Sequence, residues 1–259
     1  MSWLNVESAD RIRWLTIDRP DRKNAIPGDG WQELTQAFVE FEESEDRILI
    51  VKGAGGDFCS GADLDLGRFT DDWSVTEGHR MMKEVGRAAT VLHRLTKPTI
   101  AAVDGVAVGA GMNLALGCDV VIATERARFS EIFVRRGLTV DFGGTWLLPR
   151  IVGLQRAKEL ALSGRIVEAE EAVAMGLALE MVPVDGLMAR VGELGRSLLA
   201  GAPIGQMFAK EGLNSSFESG FADAVAWEGQ SQAIALRTED VMEGVAAFLE
   251  KRDPEWKGR

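Results

Sequence analysis

Two runs of small residues each stand where a β-branched stretch gives way to a helical pattern. Ile48-Leu49-Ile50-Val51 leads to Phe58-Cys59-Ser60-Gly61-Ala62-Asp63-Leu64, and Thr99-Ile100-Ala101-Ala102-Val103 leads to Gly105-Val106-Ala107-Val108-Gly109-Ala110-Gly111-Met112-Asn113. A strand–turn–helix junction built from Gly and Ala leaves backbone N–H groups unbonded and lets a ligand approach the peptide plane. Two such junctions converging on one oxygen form an oxyanion hole, which holds a carbonyl while negative charge grows on it. Either turn alone reads equally as a tight helix–strand contact. The pair is what points to carbonyl chemistry.

Other chemistries find little support. Cys59 and Cys118 lie in unrelated contexts without a CxxC spacing, and two reduced thiols are expected. His79 and His93 form no HExxH motif and no Cys/His cluster, so no metal site is expected, and no nucleophile–base arrangement is visible. A net charge of −11 disfavours nucleic acid and anionic membranes as partners. It leaves room for a small polyanion, which needs only a few local Lys or Arg groups. The N-terminus carries no charged leader followed by an apolar stretch, and no apolar run is long enough to span a bilayer. A cytoplasmic protein without membrane partners is expected.

The elements that must position the turns follow from periodicity. Residues 11–17 alternate and stop at Arg19-Pro20, as a strand does. Trp31, Leu34, Phe38 and Phe41 recur at helical spacing and predict a helix over 30–43. Residues 68–78 read as a mobile polar loop, followed by a helix over 76–95. Val120-Val121-Ile122-Ala123 is a further strand after a short helix over 111–117. Strands separated by helices at this spacing imply right-handed crossovers and a mostly parallel α/β arrangement. From Gly153 onward the pattern reads as almost entirely helical. The expected organisation is an α/β core over residues 1–195 and a C-terminal helical region over 196–259. At 46% hydrophobic residues, 259 residues suffice for such a core.

The motifs together resemble the enoyl-CoA hydratase/isomerase (crotonase) superfamily. They run from Ile17-Asp18-Arg19-Pro20 and Asn24-Ala25, through Ser60-Gly61-Ala62-Asp63-Leu64 and Gly109-Ala110-Gly111, to Cys118-Asp119. Gly143-Gly144-Thr145, Leu148-Pro149-Arg150 and Ala247-Phe248-Leu249-Glu250-Lys251-Arg252 extend the match over nearly the whole chain. The resemblance implies a spiral of ββα units, with C-terminal helices building a homotrimer or a dimer of trimers. It implies an acyl-CoA thioester substrate, coenzyme A entering as part of the substrate and no separate cofactor. The carbonyl would be held by the N–H groups of Ala62 and Ala110. Arg22, Lys23 and Ala25, with Ala62, Asp63 and Leu64, fall where the family binds the nucleotide and pantetheine. Phe248 and Lys251 fall where a C-terminal helix completes that site, in some members from a neighbouring subunit. Lys23 and Lys251 also read as solvated charges.

The chain departs from the hydratases at the two glutamates that position water. Asn113 and Phe133 stand at those places, and neither side chain exchanges a proton near neutral pH. Asp141, eight residues past Phe133, resembles the acid of members that shift double bonds. The stretch 143–150 is closest to the 1,2-epoxyphenylacetyl-CoA isomerase type. These features imply an isomerase in which Asp141 moves a proton while the amides of Ala62 and Ala110 hold the enolate. Hydration, thioester hydrolysis or decarboxylation in the same pocket, and acyl-CoA binding without turnover, remain alternatives. Asp141 also reads as an N-cap before Gly143-Gly144. Asn113 is expected either to bond a polar substrate group or to satisfy backbone at its helix start. Phe133, Phe142, Trp146 and Met112 read as pocket lining or as core. Glu131, beside Arg135 and Arg136, reads as a surface ion-pair partner.

Overall fold

The computed structural model describes residues 2–64 and 74–259. Its main sheet has six strands: β1 (Leu4–Ala9), β2 (Ile12–Ile17), β3 (Ile48–Gly53), β4 (Thr99–Val103), β6 (Val120–Thr124) and β9 (Glu180–Val182), in the order β1-β2-β3-β4-β6-β9. A hairpin joins β1 and β2 antiparallel, and every later pairing in this sheet is parallel. A second sheet runs β5 (Val106–Val108), β7 (Arg128–Ser130), β8 (Val167–Glu168). From β4 onward the chain passes back and forth between the two layers, as the expected spiral requires.

Burial on both faces explains why β3 and β4 are continuously apolar rather than alternating. Leu49, Val51, Ala101 and Val103 enter one core, shared with α1 (Gly30–Glu43) and α2 (Val75–Arg94). Ile48, Ile50, Ile100 and Ala102 enter a second core, closed by Leu187 and Val191 of α7 (Leu187–Leu199). α7 runs across position 195, where the helical region was expected to begin.

The remaining helices are α3 (Ala110–Leu116), α4 (Gly144–Val152), α5 (Leu154–Ser163), α6 (Ala169–Met175), α8 (Pro203–Ser215), α9 (Phe221–Ala235) and α10 (Glu239–Glu250). Two expectations need correction. The stretch after Gly153 is not almost entirely helical, because β8 and β9 interrupt it and β9 adds to the edge of the main sheet. The polar loop expected over 68–78 falls partly outside the described residues. Its last positions form the first turn of α2, opened by a capping box between Ser74 and Glu77.

Candidate active site

The two small-residue turns meet. After β3 the chain runs alongside β5: the amides of Phe58 and Cys59 donate to the Val106 carbonyl at 3.1 and 2.9 Å, and the Val108 amide donates to the Cys59 carbonyl at 3.1 Å. Parallel bridges Cys59–Ala107 and Ile26–Ala62 extend this layer to the first turn. A Cβ built on Gly61 would lie 3.4 Å from the Ala110 nitrogen, and one built on Gly111 would overlap the Cys59 carbonyl. The close approach therefore requires glycine at 111. Ala110 opens α3, so its N–H has no intrahelical partner. Among the described residues, neither the Ala62 nor the Ala110 amide donates to a protein acceptor. Two free N–H groups from adjoining turns are what a developing oxyanion needs.

The segment before α1 flanks the first turn. Lys23 and Asn24 are both left-handed (φ +50° and +58°), and the buried Asn24 side chain donates to the carbonyls of Ala54 and Asp57. The Ser60 amide donates to the Lys23 carbonyl at 3.0 Å and its hydroxyl to the Arg22 carbonyl at 3.1 Å. Arg22, Lys23, Ala25, Ala62, Asp63 and Leu64 are thus gathered along one edge, with the Arg22 and Lys23 side chains exposed. The Asp63 carboxylate is engaged by Arg19 at 2.9 Å and its amide donates to the Ile26 carbonyl at 2.8 Å, so neither group is free for a ligand. Phe248 and Lys251 lie on and just after α10. Among the described residues, no hydrogen bond or ion pair joins them to the 22–25 segment.

The acids form the second half of the site. Asn113, one turn after Ala110 on α3, is fully buried. Its Nδ2 donates to the Asp141 carbonyl at 2.9 Å and lies 3.4 Å from Glu131 Oε2. A Cβ on Gly144 would overlap this amide. Asn113 therefore holds the segment that carries Asp141: of its two expected roles it satisfies backbone, at Asp141 rather than at its own helix start, and its donors are not left for substrate. Asp141 is not a cap either. Gly143 stands at the N-cap of α4, which has no side-chain capping bond, and Asp141 Oδ1 is buried without a donor. Burial pushes the Asp141 carboxyl up to about 6. Phe142 next to it adopts φ +48° and packs on Trp31 with ring centroids 5.7 Å apart.

Glu131 overturns its expected surface role. It is 0% exposed, and burial, with the charge of Asp141 adding to it, raises its carboxyl to about 8. Arg135 instead donates to the Ser163 carbonyl and Arg136 to the Arg135 carbonyl. Strand alternation gives no signal for Glu131, because β7 ends at Ser130 and a tight helical turn over Ile132–Arg136 follows; the only hint is that Phe129 and Phe133, which flank it, are apolar and buried.

A family model for enoyl-CoA hydratase/isomerase matches residues 7–259. The chain belongs to the enoyl-CoA hydratase/isomerase family. A 1,2-epoxyphenylacetyl-CoA isomerase of Escherichia coli (strain K12) is 38% identical over 250 residues, covering 96% of this chain and 95% of its own. A 2,3-dehydroadipyl-CoA hydratase of the same organism is 34% identical over 263 residues, covering all of both chains. The crystal structure of an enoyl-CoA hydratase from Bacillus anthracis superposes with a TM-score of 0.94 at 30% identity over the whole of both chains.

Within this enoyl-CoA hydratase/isomerase framework, the proposed lining residues separate. The Phe133 ring lies beside Gly109, where a Cβ would come within 3.6 Å of it, and Met112 is fully buried. Trp146 turns away, meeting His93 edge-on at 4.9 Å and stacking under the Arg150 guanidinium at 3.8 Å. It borders a hollow of about 520 Å³ between α2, α4 and α8 whose lining, among the described residues, reaches the Asp141 segment through Phe142 and Gly143. Cys59 and Cys118 are free and buried, and burial raises both thiols to about 12, so neither supplies a thiolate.

Proposed function

We propose that this family member is an acyl-CoA isomerase that moves a double bond, or rearranges a ring, through a thioester enolate. The observation that carries the reading is the bond from Asn113 to the Asp141 backbone, which ties the acid's segment to a side chain one helical turn from the Ala110 amide. The N–H groups of Ala62 and Ala110 hold the thioester oxygen. Asp141 removes a proton from a carbon conjugated with the carbonyl as the electron pair moves onto that oxygen. It then returns the proton at another carbon of the conjugated system as the enolate collapses. Nothing is consumed, so neither metal nor redox cofactor is required. A carboxyl raised to about 6 is mostly ionised at neutral pH yet basic enough for the transfer.

Coenzyme A would lie along Arg22, Lys23, Ala25 and the 62–64 turn. Exposed apolar side chains on α8 to α10, among them Leu213, Phe221, Met242, Phe248 and Leu249, support assembly into a trimer or a dimer of trimers. In that assembly Phe248 and Lys251 complete the site.

Turnover of 2-enoyl, 3-enoyl and aromatic acyl-CoAs by the wild type and by Asp141→Asn tests this reading. Positional isomers should be the main products, and the variant should lose activity by about two to four orders of magnitude. A folded variant with full activity overturns the role of Asp141. Hydroxyacyl-CoA as the main product assigns the chain to hydration instead.

A further inference from the structure

We infer that Glu131 is a positioning residue for Asp141: a carboxylic acid that keeps its proton behind Asn113 and so leaves Asp141 the only anion of the cluster. The inference rests on Asp141 being the base.

The side chains of Asn113 and Glu131 meet the backbone of Asp141 in this buried cluster, and its donors and acceptors do not balance. Asn113 spends one N–H on the Asp141 carbonyl and turns the other toward Glu131 Oε2. Asn113 Oδ1, Glu131 Oε1 and Asp141 Oδ1 are all buried without a donor. No cation compensates among the described residues. Arg135 and Arg136 bond backbone carbonyls, and Arg165 is committed to Glu159 and Glu171. On α5, Arg156 and Lys158 make no hydrogen bond or ion pair to Glu131 among the described residues, and α3 carries no titratable side chain. Asp141 is the one charged group among the described residues whose field reaches Glu131.

Ionising both carboxyls would place two anions and three orphaned acceptors in one unpaired pocket, which is strongly unfavourable. A proton on either carboxyl removes a charge and adds a donor. It settles on Glu131, which is fully buried, rather than on the half-buried Asp141. With Glu131 neutral, nothing repels the Asp141 carboxylate from the place that Asn113 gives its backbone. Ionisation of Glu131 at high pH sets a second anion near Asp141, which displaces the base from the acyl chain and slows the reaction.

The test is the pH profile of kcat/KM for the wild type and for Glu131→Gln, which keeps the shape and removes the titration. The wild type should fall above pH about 8, up to tenfold per unit, while Glu131→Gln stays level and keeps neutral-pH kcat within about threefold. A folded variant that retains the alkaline fall overturns the proposal. So does one that is inactive at neutral pH, since the carboxyl itself would then be reacting. Infrared spectra of the wild type labelled with 13C at glutamate carboxyl groups give a second readout that needs neither turnover nor the variant. An un-ionised acid band should persist at neutral pH and titrate away near 8. Its absence overturns the proposal independently of whether Asp141→Asn supports the isomerase.

Discussion

Asn113 Nδ2 donates to the backbone carbonyl of Asp141 at 2.9 Å, so a side chain on α3 fixes the residue that precedes α4. The helix that presents the Ala110 amide and the acid proposed to work beside it are thereby one rigid unit. Their spacing survives only while the Asn113 amide keeps its place.

Gly144→Ala tests that unit. A helical glycine ordinarily gains up to about 1 kcal/mol on replacement by alanine. Here the new methyl would overlap the Asn113 amide. We expect a destabilisation of about 1–3 kcal/mol instead, with kcat falling more than KM rises. Denaturant unfolding and steady-state kinetics measure both.

Ala110→Pro removes one N–H from the proposed oxyanion hole and sets the ring's Cδ in its place. Position 110 is the first residue of α3, where proline's fixed φ fits and the missing N–H leaves no helical bond unmade. Turnover should drop by about 10²–10³ while the midpoint of thermal unfolding barely moves. Retention of wild-type kcat would show that the Ala110 amide does not hold the thioester.

Stability should fall with rising pH on account of Glu131. Its folded value of about 8 lies above its ordinary value of 4.5, so the folded chain holds a proton that the unfolded chain releases. The contribution is intact below about 4.5, declines through the interval and is lost above about 8. Glu131→Gln should flatten this part of the curve and be the more stable protein at pH 9, by an amount on the order of a few kcal/mol. Urea unfolding at pH 5, 7 and 9 reads the difference.

Lys23→Ala should weaken coenzyme A binding a few-fold and reduce its salt dependence. The side chain is exposed and its backbone is tied to Ser60, so the substitution leaves the turn in place. Calorimetric titration at two salt concentrations decides it, and an unchanged affinity would leave Lys23 a solvated charge.

Much of this arrangement was legible locally. The two Gly/Ala turns, β2, β3, β4, β6 and α1 follow from short-range periodicity, which records burial on one or both faces. What escaped depends on distant packing. The strand Glu180–Val182 is only three residues long, and its identity comes from the edge of β6 that it joins. Glu131 looks like a surface acid beside two arginines until Asn113 and Asp141 close over it. The ion pair that occupies Asp63 joins residues far apart in the chain, Arg19 and Asp63, and no spacing rule announces it.

The left-handed backbone at Phe142 is unfavourable for a bulky residue and persists only because neighbours hold it. Trp31, from the first helix of the chain, supplies one such hold by seating the Phe142 ring. The backbone turn that follows Asp141 is therefore held partly by a residue of the buried core. Trp31 is a remote handle on the proposed acid, through which evolution or an engineer retunes it without altering any residue proposed to meet substrate.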